Sequence, residues 1–305
     1  MGTPEFAVPA LQTLVENGYD IVGVITATDK MGGRGGKKLI ESDVKKYAVS
    51  QGLNILQPKN LKNPEFVEEV RALKADLQIV VAFRMLPEVI WNMPEQGTYN
   101  LHGSLLPRFR GAAPIHWAVM TGAEETGVTS FKLKHEIDTG DLLFQEKTKI
   151  ADEDTTGDVY TRLMHLGAEV VLKTVKAVEL GEVELKEQDN SQVSKAPKIY
   201  HETCEIDFTK TTKEVYNHIR GLNPFPTAWT TIDGLECKVL KSGMSDEKLS
   251  PMHEPGTILT DNKRYLKIAC RDGYLAILEL KMQGKKKMDI KSLLNGYKVE
   301  SNAIG

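Results

Sequence analysis

The sequence has little cysteine and no long apolar run, and each absence excludes a class of protein. Its three cysteines, Cys204, Cys237 and Cys270, are widely spaced and form no C-x-x-C pair, which argues against a disulfide framework and against a zinc site. No window approaches the roughly 18 apolar residues of a transmembrane helix, and the first residues lack a secretory signal. We therefore expect a protein of the reducing cytoplasm with no membrane partner.

A strong charge of either sign is also lacking. The net charge is −3 over 305 residues, so nothing global points to a polyanionic partner, and a nucleic acid would have to meet local basic patches. Hydrophobic residues make up 41% of the chain, which is typical of a globular protein with a core. The length alone indicates one large domain or two ordinary ones.

The first two-thirds of the chain alternates short apolar runs with helical patterns. Residues 21–26 (IVGVIT) and 77–83 (LQIVVAF) are continuous apolar runs, typical of strands buried on both faces of a parallel sheet. A long helix is predicted over residues 156–179, ended by Gly181. This alternation predicts an α/β fold, a doubly wound and mostly parallel Rossmann-like sheet whose site lies at the carboxyl ends of the strands.

The composition changes after Gly181. Residues 186–198 are polar and nearly free of aliphatic side chains, which indicates a linker. Beyond them we predict one helix, residues 211–221, and a small C-terminal β-barrel of OB-like type built from short alternating strands. The expected limits are 1–183 for the first domain, 184–200 for the linker and 201–305 for the barrel.

The candidate catalytic residues lie at the end of a predicted strand and on a later turn. Asn100 and His102 are two residues apart, so a strand presents both on one face. An amide donor beside an imidazole suits acyl transfer, because the amide can hold an oxyanion while the imidazole moves a proton. Asp138, in an I-D-T-G-D turn, could orient His102 or accept a proton. We expect the three to converge in one cleft. On spacing alone, a structural Asn–His pair and an ordinary turn remain open.

Residues 30–38 (KMGGRGGKK) form a glycine-rich basic segment with four cations and no acid. It is not a phosphate-binding P-loop, because Lys38 stands where that motif requires Ser or Thr. Two interpretations remain: a solvated flexible loop, or a loop that closes on a nucleic-acid end.

Taken together, Asn100-x-His102, the S-L-L-P segment that follows it and Asp138 in its D-T-G turn resemble the folate-dependent formyltransferase family. The resemblance implies that Asn100, His102 and Asp138 are catalytic, with 10-formyltetrahydrofolate as the formyl donor and no metal. Many members have Tyr-Gly where this chain has Phe83-Arg84. The implied folate pocket is lined by Phe83, Met85, Leu86, Ser104, Leu105, Leu106 and Pro107.

Four features are similar to the family members that formylate methionyl-tRNA. They are G-T-P-E-F-A at residues 2–7, the basic segment 30–38, N-P-F-P-T-A-W at 223–229 and G-K-K-K-M at 284–288. The similarity implies an initiator methionyl-tRNA as partner, contacted by Arg34, Lys37, Lys38, Lys198, Lys285 and Lys286. We expect a monomer. The alternatives within the same fold are an amino-sugar formyltransferase and a 10-formyltetrahydrofolate hydrolase. Relatives carry a short apolar strand before G-T-P, so we also expect native residues ahead of Met1.

Overall fold

The computed structural model describes residues 1–32, 35–36, 38–245 and 253–304. The chain divides into two compact units. The first comprises Met1–Pro114, Thr126–Thr148 and Tyr160–Lys195, and the second comprises Ile115–Glu125, Lys149–Val159 and Ala196–Gly305. The first unit thus includes residues 184–195 of the segment predicted as a linker.

Helices and strands alternate through the first 180 residues, as the apolar pattern predicts. In chain order they are α1 (Val8–Glu16), β1 (Val24–Ile25), β2 (Lys30–Gly32), β3 (Lys38–Ile40), α2 (Asp43–Ser50), β4 (Ile55–Leu56), α3 (Pro64–Ala72), β5 (Gln78–Val81), α4 (Glu88–Trp91), β6 (Thr98–His102), α5 (Pro114–Met120), β7 (Glu125–Lys132), β8 (Leu142–Lys149) and α6 (Thr156–Leu180). Local signals start two of the helices: Ser42 caps α2 by accepting the Lys45 N–H, and Asn63 caps α3 just before Pro64.

The sheet of the first unit is parallel at its centre. Strand β1 pairs with β4 in parallel, with Val24 opposite Ile55. Strand β5 pairs with β6 in parallel, with Val81 opposite Leu101, and β7 and β8 extend this second group. The predicted fold class, an α/β domain with a parallel sheet, is confirmed.

The first two residues lie between β1 and β5. The Met1 amine donates to the Ile79 carbonyl (2.7 Å), Val81 N–H donates to the Met1 carbonyl (2.9 Å), and Gly2 N–H donates to the Ile25 carbonyl (3.1 Å). Beside them a cavity of about 490 Å³ separates residues 20–24 from residues 76–79. Strand β1 is therefore shorter than the predicted 21–26, because residues 20–23 border this cavity on one side instead of a neighbouring strand.

Strand β6, which carries Asn100 and His102, packs closely against α6. A Cβ placed on Gly167 of α6 would lie 2.6 Å from Leu101 Cδ2, so a glycine is needed for this approach. Leu101, Val170 and Leu163 are buried. Because Leu101 points into this core, its neighbours Asn100 and His102 share the opposite face of the strand.

The second unit contains a curled antiparallel sheet of half-barrel form, as the predicted β-barrel domain requires. The strand order is β11-β12-β13-β10-β9, with β14 beside β13. The elements are α7 (Thr212–Gly221), β9 (Ala228–Ile232), β10 (Leu235–Ser245), β11 (Ile258–Thr260), β12 (Leu266–Ala269), β13 (Tyr274–Met282), β14 (Met288–Asp289) and α8 (Ile290–Leu294).

Helix α7 begins where the sequence predicts. Thr211 accepts the Glu214 N–H, and the Glu214 carboxylate accepts the Thr211 N–H, which completes a capping box. The apolar face of the helix, with Val215 and Ile219, enters the core beneath the sheet. All three cysteines lie in this core as free thiols, and burial raises the pKa of Cys237 and Cys270 to about 11, so they are unreactive structural residues.

Candidate active site

The imidazole of His102 is held at the carboxyl end of β6 and is almost fully buried. Its Nε2 lies 2.9 Å from the carbonyl oxygen of Phe109. A carbonyl can only accept a hydrogen bond, so Nε2 carries the hydrogen and donates. In the neutral ring, Nδ1 is then the unprotonated atom, and this is the nitrogen that could exchange a proton with a ligand.

Asp138 faces that nitrogen. Its Oδ1 lies 3.8 Å from His102 Nδ1, within ion-pair range but too far for a direct hydrogen bond. Its other oxygen, Oδ2, accepts the backbone N–H of Gly111 at 2.9 Å. The carboxylate is therefore fixed on one side and directed at the imidazole on the other.

Asn100 lies two residues before His102 and is half-buried. Within residues 1–32, 35–36, 38–245 and 253–304, no side-chain hydrogen bond is formed by its amide, so the group is free to bind a ligand. The structure thus places the imidazole and the carboxylate 3.8 Å apart at the carboxyl edge of the sheet, with Asn100 on the same face of β6 as His102. Ligands of open α/β sheets bind at this edge.

Three residues around this edge adopt the left-handed backbone conformation, which is uncommon for residues other than glycine. They are Ala82 after β5 (φ 47°), Phe109 (φ 59°) and Asp138 (φ 57°). Two of them face His102, Phe109 with its carbonyl and Asp138 with its carboxylate. Strained backbone of this kind clusters at functional sites, where the surrounding structure holds it in place.

The S-L-L-P segment is tied down by hydrogen bonds within the protein. Thr129 Oγ1 donates to the Ser104 carbonyl (2.6 Å) and accepts the Leu106 N–H (3.1 Å), while Gln145 Nε2 donates to the Leu106 carbonyl (2.8 Å). Ser104 Oγ donates to the Arg108 carbonyl. Ser104, Leu106 and Pro107 are buried, and Leu105 is half-buried. As a wall of the predicted folate pocket, the segment is rigid.

The other predicted wall follows β5. Leu86 is buried in the core, Phe83 is half-buried and Met85 is 72% exposed. Arg84, which stands where many family members have glycine, donates to the carbonyl oxygens of Pro58 and Lys59. The Arg84 side chain is therefore directed toward the 58–59 loop, and the neighbouring Met85 is an exposed apolar side chain of this wall.

The predicted tRNA-binding residues are distributed over both units. Lys38 is exposed in β3, the second strand of a hairpin with β2, whereas Arg34 and Lys37 lie outside the described residues. Lys198 lies 5.4 Å from the ring centre of Tyr200, and Lys285 lies 5.5 Å from that of Tyr297. Lys286 is exposed, with no ion pair in the described chain.

The described residues contain no group of three or more His, Cys, Asp or Glu side chains able to hold a metal ion. Among the helices that the structure describes, none is both long and apolar enough to span a bilayer.

Sequence reasoning missed Phe109 and Gly111, whose backbone groups hold His102 and Asp138. Phe109 and Gly111 are identified only by the backbone, through the left-handed φ of Phe109 and the folded path of residues 108–111. The amino-acid types at these positions predict neither feature. A backbone carbonyl carries no side-chain signature, so no motif could have identified it.

The sequence matches the formyl transferase family over residues 1–175 and the formyl transferase C-terminal domain over residues 198–298. These matches, together with the fold and the polar side chains at the carboxyl edge of the sheet, place the chain in the formyl transferase family. Two curated relatives extend along nearly the whole chain. One, named methionyl-tRNA formyltransferase, from Phocaeicola vulgatus, is 52% identical over 99% of this chain and 96% of its own length. Another of that name, from Bacteroides fragilis, is 51% identical over 97% of this chain and 94% of its own length.

Solved structures share the fold at lower identity. The N-formyltransferase from Helicobacter canadensis, in complex with folinic acid and dTDP-3-aminofucose, superposes with a TM-score of 0.69 and 21% identity. The match covers 94% of this chain and 97% of that one.

Proposed function

We propose that this protein transfers the formyl group of 10-formyltetrahydrofolate to the α-amino group of methionyl-initiator tRNA. The observation that carries the proposal is the setting of His102, whose Nε2 is occupied by the Phe109 carbonyl while its Nδ1 faces Asp138, 3.8 Å away. The identity of about half the residues with relatives named for this reaction supports the choice of acceptor.

The first step is attack of the amine nitrogen on the formyl carbon. A C–N bond forms, and the electron pair of the carbonyl moves to its oxygen. The free amide of Asn100 donates to this developing oxyanion, and protonated His102 adds an N–H at Nδ1. Donors that are already in place stabilise the transition state more than the ground state, since the charge appears only there.

In the second step the electron pair of the oxyanion re-forms the carbonyl, and the bond between the formyl carbon and N10 of the folate breaks. The electron pair goes to N10, which takes a proton, while the attacking nitrogen has lost one, so protons balance over the reaction. Asp138 accepts a proton from the amine directly or through a water, and the His102–Asp138 pair returns one to N10. The 3.8 Å separation leaves room for an exchangeable hydrogen-bond partner between the two groups.

The folate would lie along the two walls described above. The apolar side chains Phe83, Met85 and Leu105 suit an aromatic pterin, and the S-L-L-P segment, tied down by Thr129 and Gln145, supplies a fixed wall. Lys38, Lys198, Lys285 and Lys286 would contact tRNA phosphates, since all four are exposed and a lysine that neutralises a phosphate releases counterions from the nucleic acid. Arg34 and Lys37 complete the proposed set.

The test is incubation of the protein with 10-formyltetrahydrofolate and charged initiator tRNA, followed by release of the amino acid and detection of formyl-methionine. Parallel reactions contain uncharged tRNA, a nucleotide-linked amino sugar, or no acceptor. Formyl-methionine in the first reaction alone is the expected result. Formylation of the sugar, or formate release without acceptor, would replace the proposed acceptor by a sugar or by water.

A further inference from the structure

Gln188 belongs to the polar stretch after α6, yet its side chain is 95% buried, since only 5% of the residue is exposed. Each of its polar atoms makes two hydrogen bonds. Oε1 accepts from Arg110 Nε (3.0 Å) and from Arg110 Nη2 (2.6 Å). Nε2 donates to the Asp138 carbonyl (2.9 Å) and to the Gly140 carbonyl (2.7 Å). A single amide thus joins the turn that carries Asp138 to the segment that contains Arg110.

The same stretch of chain holds the Arg110 segment a second time. Ser194 Oγ accepts the Phe109 N–H at 2.8 Å, and the Ser194 carbonyl accepts the Arg110 N–H at 2.9 Å. The segment therefore has two anchors, and the Phe109 carbonyl between them is the acceptor for His102 Nε2.

Both neighbours of the imidazole are consequently fixed by this stretch. The Phe109 carbonyl lies on the Nε2 side and the Asp138 carboxylate on the Nδ1 side, and each belongs to a residue in the left-handed conformation. A residue other than glycine keeps the left-handed conformation because the surrounding structure holds it there. The two donors of Gln188 restrain Asp138 at its own carbonyl.

We infer that Gln188 is a positioning residue for formyl transfer: it fixes Asp138 and Phe109 on opposite sides of the His102 ring. The inference rests on the proposed function, since it assigns Gln188 a role in that reaction. An amide is required at this position, because it must accept from a guanidinium and donate to two carbonyls. A carboxylate satisfies Arg110 but repels both carbonyls, and an apolar side chain of the same length satisfies neither.

The test compares Gln188→Met, which keeps the volume, and Gln188→Glu, which keeps only the bonds to Arg110. Gln192→Ala is the matched control, since Gln192 lies four residues along the same stretch, is exposed and bonds only Asp189. For both Gln188 variants we expect kcat to fall by up to about 100-fold, because a small misplacement of the catalytic groups suffices for such a loss. The KM for folate should stay within about twofold. Equal losses in Gln192→Ala would overturn the inference.

A double-mutant cycle separates positioning from a general loss of stability. If Gln188 acts through Asp138, Gln188→Met should cost little further activity in the Asp138→Asn background. Fully additive losses, or a kcat that follows the melting temperature alone, would overturn the inference.

Amide hydrogen exchange gives a readout that needs no activity. The Gly111 N–H donates to Asp138 Oδ2. We expect its hydrogen-exchange rate to rise above the wild-type rate in Gln188→Met and to equal the wild-type rate in Gln192→Ala. Protection of Gly111 as in wild type would overturn the inference. If the wild-type protein transfers no formyl group while the variants show the expected difference in exchange rate, the proposed function is wrong and the positioning of Asp138 by Gln188 still holds.

Discussion

At the scale of single residues, the site depends on which nitrogen of His102 is already occupied. The Phe109 carbonyl occupies Nε2, so in the proposed reaction only Nδ1, which faces Asp138, is left to exchange a proton. The charge of Asp138 should therefore matter more than its shape.

Asp138→Asn tests this directly. Asn tolerates the left-handed conformation as well as Asp does, so the turn is kept while the charge is removed. We expect turnover to fall well beyond tenfold with folate affinity little changed, because the charge acts mainly in the transition state. Steady-state kinetics with charged tRNA and equilibrium folate binding provide the measurement. Asp141→Asn, which removes a carboxylate bonded to exposed Lys134, is the control. Near-normal turnover in Asp138→Asn would make Asp138 structural.

Gly140 tests the turn that holds Asp138. A Cβ on this residue would lie 1.8 Å from the Lys132 carbonyl oxygen, a backbone atom that cannot rotate away. We expect Gly140→Ala to displace the turn, to lower the free energy of unfolding by about 1–3 kcal/mol and to reduce kcat. Gly243→Ala is the comparison, since its nearest atom, Leu278 Cδ1, is at an ordinary 3.5 Å. Urea unfolding and kinetics measure both effects, and an unchanged Gly140→Ala protein would contradict the turn's role.

At the scale of elements, a feature can be predicted from the sequence when the interactions that form it are between residues close in the chain. The start of α7 at Thr212 follows from a capping box within four residues, and β9 and β12 end where the alternating pattern ends. Gln188 could not be found in this way. Its partners Arg110 and Asp138 lie 78 and 50 residues away, and its surroundings in sequence are typical of a linker.

The hairpin β2–β3 carries the basic segment, and its expected role is tested by replacing Arg34, Lys37 and Lys38 together with Ala. We expect weaker tRNA binding and a flatter plot of log affinity against log salt concentration, by about one unit of slope for each phosphate that the protein no longer neutralises. We expect stability to be nearly unchanged, since Lys38 is exposed and an exposed charge contributes little to folding, and the sequence predicts the same for Arg34 and Lys37. Filter binding across a salt titration measures the slope. Replacing the exposed Lys62, Lys176 and Lys186 controls for net charge, and an equal effect of that set would show that the basic segment makes no specific interaction with the tRNA.

At the scale of the whole molecule, the sequence predicts both fold classes and the family, because apolar periodicity and motif spacing are properties of the chain itself. The approach of Asp138 to His102, on the strand face that also carries Asn100, depends on the folded path of residues 108–111. The sequence therefore predicts which side chains are candidates, whereas the folded backbone decides which of their atoms remain available.

In a chain whose first residue is Met1, the free amine makes folding dependent on pH. Burial lowers its pKa from 8.0 to about 5. Between these two values the unfolded chain binds a proton that the folded chain does not, so stability rises with pH across this window and is lost as pH falls from 8 to 5. This one group changes the free energy of unfolding by at most about 1.4 kcal/mol per pH unit. Urea unfolding at half-unit steps of pH measures it, with a chain whose Met1 nitrogen is in a peptide bond as the control.

The burial of a free amine at Met1 thus has a thermodynamic consequence as well as a structural one. The proton on this amine must be released before the first unit can fold, so it acts as a ligand that binds only the unfolded state. A higher proton concentration therefore shifts the equilibrium toward the unfolded chain, as any such ligand would. Acylating the Met1 nitrogen should remove this competition. The first unit would then fold equally well at mildly acidic and mildly basic pH, as far as this group is concerned, and an unchanged pH dependence after acylation would place the titrating group elsewhere.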